Sequence, residues 1–418
     1  MTTLHDIDSG ASRLRDLFVF LVTCLILTIA LMPMAAFAEN EADDGLTVNV
    51  LKTVEISSSH RYCWFPTVHR FPTGEIMATM QLSPDEIHPE GDFSAYCLST
   101  DGGNTWSRRY TMGAGCSADG PYTPFARKDA TIWHLYSYPE PYPSGQAQRF
   151  HDTLTKFSRG GMEILQVRDV ILNLSQPGYT APASLFDWEV RDAAVETEIR
   201  GMPWGTIIDS SDGGLLSVMY LITADDRRYY QKDQYYRDIL LRSSDGGETW
   251  NQYSTIAYVP RDQKPAWMGD EGPNEGSIVR LADNRLYVVF RTGGDGGIGN
   301  AWSSDDGKTW TSPTPIGFKG VAPRLHRLSN GALALSTGRP GPVVLRFSVD
   351  GTGEKWSHAT ELFTGMSSRY TDLVELEPGK LLVVYDSIPY GWHAIPYTDK
   401  KAKNTIYGVF VEVHKKQD

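Results

Sequence analysis

The chain has little cysteine, no surplus of positive charge and only one long apolar run. Four of its 418 residues are cysteine, so no disulfide framework holds it together, and a chain of this length buries enough apolar surface to fold without one. Lys and Arg total 39 against 51 Asp and Glu, a formal charge of −12. That balance argues against a general grip on nucleic acid or an anionic membrane, yet leaves room for a locally basic pocket. The ten histidines are scattered. None has the H-x-H or H-E-x-x-H spacing of a metal site, so neither metal nor cofactor is expected.

The apolar run is N-terminal. Arg13 and Arg15 precede Leu17 to Met32, and Ala36-Phe37-Ala38 follows Pro33 with the small-x-small pattern of a cleavage site. Residues 1–38 therefore read as a signal peptide and 39–418 as one domain, exported to a periplasmic, extracellular or cell-surface location and free of the membrane after cleavage. An uncleaved anchor is the alternative, because Leu17 to Ala38 matches the roughly 20 residues that span a bilayer. Cleavage removes Cys24 and leaves Cys63, Cys97 and Cys116. An oxidising compartment permits one disulfide among these three, with a pairing that spacing does not decide.

Turns are abundant. Ser99-Thr100-Asp101-Gly102-Gly103-Asn104-Thr105-Trp106 recurs as Ser243-Ser244-Asp245-Gly246-Gly247-Glu248-Thr249-Trp250 and as Ser303-Ser304-Asp305-Asp306-Gly307-Lys308-Thr309-Trp310. A looser copy, one residue longer, runs from Ser348 through Asp350 to Trp356. The pattern S-x-D-x-G-x-T-W suits a tight hairpin: the carboxylate accepts backbone N–H groups, Gly takes a positive φ and Trp anchors the return strand. This is the Asp box, a structural element to which no chemistry is assigned.

Between the boxes lies a second repeat, two alternating apolar stretches around a Gly or Asn turn. Its copies are Pro66 to Met80 around Gly74, Gly205 to Tyr220 around Gly213, Gly276 to Phe290 around Asn284, Ala322 to Ser336 around Gly331, and Leu373 to Tyr385 around Gly379. Pro121 to Tyr136, turning at Lys128 and Asp129, is a weaker sixth copy. Period-two alternation makes each a two-stranded hairpin. The last three turns are 47 and 48 residues apart, the length of a four-stranded blade. The expectation is an all-β, six-bladed propeller of four-stranded antiparallel blades. Leu46 to Ile56 is expected to close the ring against Thr405 to Val413. Ser158 to Gly161 reads as a decayed Asp box, and about Ser175 to Pro203 as a long functional loop.

Asp boxes in register resemble the repeat of the sialidase superfamily of β-propellers, and three further segments resemble that family in order. Asn274-Glu275-Gly276-Ser277, with Arg291 sixteen positions after Glu275, looks like the hairpin that carries the catalytic Glu and ends in a substrate-clamping Arg. Ser367-Ser368-Arg369-Tyr370-Thr371-Asp372 resembles the segment with the nucleophilic Tyr, and Gly338-Arg339-Pro340-Gly341 the place of a further clamp Arg. The resemblance thus implies Tyr370 as nucleophile, Glu275 as its base, and Arg291 and Arg339 holding the carboxylate of an acidic sugar. A neutral phenol suits an anionic substrate, since a carboxylate nucleophile would meet like charge. Guanidinium forks match a carboxylate bidentately.

The first hairpin departs from the family. Cys63-Trp64-Phe65-Pro66 puts Trp64 where the family carries its first clamp Arg, and Arg61, three residues upstream, is out of register. Trp64 would then offer an aromatic face to a sugar at the pocket floor, with a change of substrate or a loss of activity as the consequence. The acid is expected on the loop after this hairpin, which offers Asp85, Glu86 and Asp92, with His88 at the counted position; Asp85 is the reading taken.

Three functions follow. The first is an exo-glycoside hydrolase of sialidase type removing a terminal acidic sugar from a glycan or glycoconjugate. The second is a polysaccharide lyase on uronic-acid glycans, using His60, His69, His326 or Tyr370 as base. The third is a non-catalytic carbohydrate-binding propeller.

Overall fold

The computed structural model describes residues 45–82, 94–111, 123–126, 132–139, 150–157, 164–169, 171–173, 175–176, 179–180, 200–222, 235–294 and 296–415. Residues 1–38, Asp85, Glu86, His88, Asp92, Cys116, the turn at Lys128 and Asp129, Ser158 to Gly161 and most of 175–203 lie outside these. Gly45–Asp418 forms one compact unit.

Strand β1 (Leu46–Ser59) is followed by β2 (Trp64–Arg70), β3 (Ile76–Gln81), β4 (Ser94–Ser99) and β5 (Tyr110–Thr111), which make one sheet. The next sheet contains β6 (Thr123–Ala126), β7 (Ile132–Pro139), β8 (Phe150–Phe157) and β9 (Ile164–Asp169). After β10 (Ile171–Asn173) and the small pair β11 (Ser175–Gln176) and β12 (Tyr179–Thr180) come β13 (Arg200–Asp209), β14 (Leu215–Ile222), β15 (Arg237–Ser243) and β16 (Thr249–Ala257). Two further sheets are β17 (Asn274–Arg280) to β20 (Thr314–Lys319), through β18 (Leu286–Arg291) and β19 (Gly297–Ser303), and β21 (Val321–Arg327) to β24 (Thr360–Phe363), through β22 (Leu333–Gly338) and β23 (Val343–Ser348). The last sheet, β25 (Thr371–Glu377), β26 (Lys380–Ser387) and β27 (Asn404–Lys415), takes β1 as its outer strand.

The expectation of six four-stranded antiparallel blades is corrected: five such blades are present among the described residues, not six. The remaining large sheet has five strands in the order β10-β16-β15-β14-β13, and β10 runs parallel to β16. Strand β10 causes this. It lays Ile171–Asn173 along Thr249, Trp250 and Asn251, so an outer edge that would otherwise be open is paired. Ring closure follows the expected strands, with β1 antiparallel to β27 from Leu46 opposite Lys415 to Ser59 opposite Asn404.

The hydrophobic core lies between neighbouring sheets. Leu216, Val218 and Leu240 pack on Ile278, Leu286 and Val288; Tyr287 and Val289 pack on Leu325, Leu333 and Leu335. Val343, Leu345 and Phe347 meet Leu381, Val383 and Val411, while Val384, Leu382 and Ile406 meet Ile76, Ala78 and Cys97. Cys63 and Cys97 are free thiols buried in that last layer. Burial pushes them up to about 12 and about 11 respectively, so neither is a reactive thiolate.

Each Asp box connects the third and fourth strands of its sheet, at the same end as the inner hairpin turns. Asp101 Oδ1 accepts Asn104 N at 3.0 Å and Thr105 N at 2.9 Å, while Ser99 Oγ receives Gly103 N at 2.8 Å. Asp245 repeats this with Glu248 N at 3.0 Å and Thr249 N at 2.9 Å. The boxes also join one sheet to the next. A Cβ on Gly307 would sit 2.3 Å from Leu240 Cδ2, and one on Gly353 2.4 Å from Tyr287 Cζ, so these glycines are required by close approach as well as by their φ of +88° and +77°.

Candidate active site

The opposite end of the strands carries the candidate site residues. Where the inner strands begin, a residue repeatedly adopts the left-handed conformation: Phe65 (φ 51°), Gly205 (79°), Glu275 (54°), Ala322 (41°) and Arg369 (70°). In β2, β13, β17 and β21 the register slips at the same place. Such a bulge re-aims side chains at a strand end. Left-handed non-glycine residues are strained and persist only where the surrounding structure enforces them.

Glu275 is enforced in this way. Its Oε1 receives Tyr370 Oη at 2.5 Å and Arg291 Nη1 at 2.9 Å, and its Oε2 receives Ala322 N at 2.8 Å. The donors come from the segment before β25, from the end of β18 and from β21, so three sheets converge on one carboxylate. Arg291 Nη2 also reaches Glu271 Oε1 at 3.0 Å. Burial opposes the Arg291 charge, but Glu275, Tyr370 and Glu271 outweigh it and its affinity for the proton is raised. Tyr370 is held well above the usual phenol range, first by burial and then by the charge of Glu275; Arg291 and Arg339 pull it back only in part. The phenol is therefore protonated at neutral pH and aims its proton at the carboxylate.

Asp386 on β26 fixes this segment. It is fully buried and accepts Ser367 Oγ at 2.9 Å, Ser368 N at 2.7 Å and Phe65 N at 3.0 Å, tying the Tyr370 segment to the first inner strand. Arg339 donates from Nη2 to Ser368 O at 2.9 Å and lies 5.4 Å from the Trp392 ring.

Of the residues expected from sequence, Tyr370, Glu275 and Arg291 are brought into direct contact, and Arg339 stands beside them. Trp64 does not present a face to the site: it is 0% exposed. The left-handed residue in this sheet is Phe65, whose ring lies 4.8 Å from Tyr370 with Trp64 packed against its far side at 5.0 Å. The exposed aromatic is Trp392, at 44%, 5.7 Å from Phe65 and 5.3 Å from Trp64. Arg61 is exposed at its side chain, and its backbone carbonyl receives Asn404 Nδ2 at 2.7 Å, away from the cluster.

Five contributors escaped the sequence reading. Phe65 and Arg324 lie next to Pro66 and Pro323, which help mark the strand starts in sequence but do not announce the left-handed residue before each proline. Trp204, edge-on to Tyr370 at 6.1 Å, opens a recognised hairpin. Asp386 and Trp392 had no local signal, since only folding sets them against the first strand. Among the described residues no group of His, Cys, Asp and Glu could hold a metal ion. A cavity of about 490 Å³ lies at the Asp-box end, between Lys52, Asp101, Asn104 and Phe410, and shares no residue with the cluster.

The fold is that of a sialidase-like β-propeller. Residues 188–386 match the BNR repeat-like domain family. A protein of unknown function from Dyadobacter fermentans is 20% identical with a TM-score of 0.66, over 88% of this chain and 99% of its own. The α-L-arabinanase of Penicillium chrysogenum is 16% identical with a TM-score of 0.58, over 88% and 98%. The NanB sialidase of Streptococcus pneumoniae is 13% identical with a TM-score of 0.55, over 87% of this chain and 70% of its own. A comparison with curated proteins returns no match.

Proposed function

We propose that the protein is a glycoside hydrolase that removes a terminal acidic sugar through a tyrosine nucleophile, and that it acts after export. One observation carries the reading: the 2.5 Å bond from Tyr370 Oη to a Glu275 carboxylate that already holds Arg291 and a backbone N–H. A phenol with a raised proton affinity is a poor nucleophile unless a base takes its proton as it attacks. Glu275 stands in hydrogen-bond contact to do so. Attack of Tyr370 Oη on the anomeric carbon breaks the glycosidic bond and transfers the phenol proton to Glu275, leaving a glycosyl-tyrosine. Water then displaces the tyrosine, with Glu275 returning the proton to the phenolate. The leaving group needs an acid, for which Asp85, which follows β3 in sequence, is proposed; the carboxylate it leaves then takes the proton of the attacking water. Arg291 and Arg339 supply positive charge beside the phenol, which stabilises developing phenolate and attracts an anionic substrate.

The test is a turnover screen of the purified chain on 4-methylumbelliferyl glycosides of sialic acid, of uronic acids and of neutral sugars including α-L-arabinofuranose, with Tyr370→Phe as control. Turnover of an acidic glycoside that disappears in Tyr370→Phe is expected. Full turnover by Tyr370→Phe would remove the mechanism. An unsaturated product absorbing in the ultraviolet would indicate elimination by a lyase instead.

A further inference from the structure

Three guanidiniums stand around Tyr370, and two of them bond to protein acceptors through terminal nitrogens, although the Nε of Arg291 is left without a partner. Arg291 is shared between Glu275 and Glu271. Arg339 is bonded to the Ser368 carbonyl and stacked on Trp392. Arg324 differs. It is 3% exposed, and its Nε and Nη2 have no hydrogen-bond partner. Among the described residues it makes no ion pair.

A guanidinium keeps its charge inside a protein, and an unneutralised buried charge is costly. Buried donors without acceptors call for an explanation, and the position of Arg324 supplies one. Ala322, two residues earlier on β21, donates its N–H to Glu275, so the strand that fixes the proposed base also carries Arg324 inward. The Arg324 guanidinium lies 5.6 Å from the Trp204 ring, which is edge-on to Tyr370. Its charge is felt by Asp372, Glu275 and Tyr370.

We propose that Arg324 is the specificity-determining residue of the site, supplying the cation for a carboxylated sugar that the first inner strand, with Phe65, does not supply. This rests on the glycosidase reading above. An anionic group entering the cluster meets Arg291 already paired with two carboxylates, whereas Arg324, acted on by Asp372 without an ion pair, has two donors with no acceptor. The ligand class is a monosaccharide bearing a carboxylate, either a sialic acid or a hexuronic acid.

The experiment compares the wild-type chain with Arg324→Met and Arg324→Lys on the sialoside, the glucuronide and the arabinofuranoside of 4-methylumbelliferone, with Tyr370→Phe alongside. The expected result is a KM for the acidic glycoside raised 10- to 100-fold in Arg324→Met with a smaller change in kcat, and partial recovery in Arg324→Lys. Where thermal melting shows that Arg324→Met does not fold, Arg324→Gln, neutral and able to hydrogen-bond, replaces it. An unchanged KM for the acidic glycoside in the neutral variant, or turnover confined to the neutral sugar, overturns the proposal while leaving the hydrolase intact if Tyr370→Phe is inactive. If Tyr370→Phe retains full turnover, the hydrolase mechanism fails and calorimetric titration with free N-acetylneuraminic and glucuronic acid decides. Binding by wild type that Arg324→Met loses supports the role of Arg324; equal affinity, or no binding of either acid, overturns it.

Discussion

Carboxylates do opposite work at the two ends of the strands. In the Asp boxes the carboxylate is near the surface and takes its donors from its own turn, as Asp101 does from Asn104 and Thr105. Asp101 and Asp305 are accordingly held down to about 2, chiefly by hydrogen bonds from Thr105 and Thr309. At the other end Glu275 is buried, strained and bonded to donors from three sheets. A group satisfied within eight residues can stabilise a fold without depending on the ring. One satisfied across sheets exists only when those sheets have packed together, so its geometry depends on tertiary assembly in a way that an Asp box does not.

This contrast can be broken from either side. The largest effect is expected at the convergent end: Tyr370→Phe should lower kcat by about 10³-fold or more, and Glu275→Gln by about 10²- to 10⁴-fold, with melting temperatures close to wild type. A Tyr370→Phe chain that melts far earlier would instead show the phenol to be structural. At the Asp-box end, Trp250→Ala removes a fully buried ring that donates to Gly247 O. It should cost about 3–5 kcal/mol in denaturant unfolding while leaving kcat per folded molecule unchanged.

Smaller effects sharpen the comparison. Trp392→Ala should raise KM by about 5- to 10-fold, the loss of roughly 1 kcal/mol of aromatic or cation–π contact, without altering thermal stability. The lowered Asp101 and Asp305 contribute stability that is complete above the ordinary carboxylate range and is lost as pH falls through about 2. The melting temperature should therefore drop between about pH 4 and 2, and a double Asp101→Asn, Asp305→Asn variant should show a shallower drop. Asp238 has the reverse sign. Burial and then Glu275 raise it well above the carboxylate range, so its contribution is present at low pH and lost as pH rises. Asp238→Asn should melt later than wild type at pH 7, and an earlier melt would mean that the carboxyl has a partner in solution.

How much of this could be read beforehand follows from the same locality. The Asp boxes were legible because every bond in them lies within one short segment, and the hairpins at Gly74, Gly213, Asn284, Gly331 and Gly379 were legible because period-two alternation is local. The strand count of the sheet containing β13 was not, because β10 enters it by a parallel pairing some 80 residues away in sequence that no local pattern announces. Glu275, Arg291, Arg339 and Tyr370 were singled out through resemblance of three segments rather than through any property of the single residues. Trp64 was misplaced because counting along a strand cannot see the left-handed turn at Phe65. Asp386 and Arg324 were invisible, since their roles exist only across sheets.

Alternation, turn chemistry and spacing were enough to specify strands, hairpins and a ring of repeats, because those features depend on neighbours a few residues away. Which of the many Tyr, Glu and Arg side chains meet, which aromatic faces solvent, and which guanidinium keeps donors without acceptors were set by the packing of the sheets. Only the packing of successive sheets brings β17, β21 and β25 together, and electrostatic coupling of this kind requires contact through space.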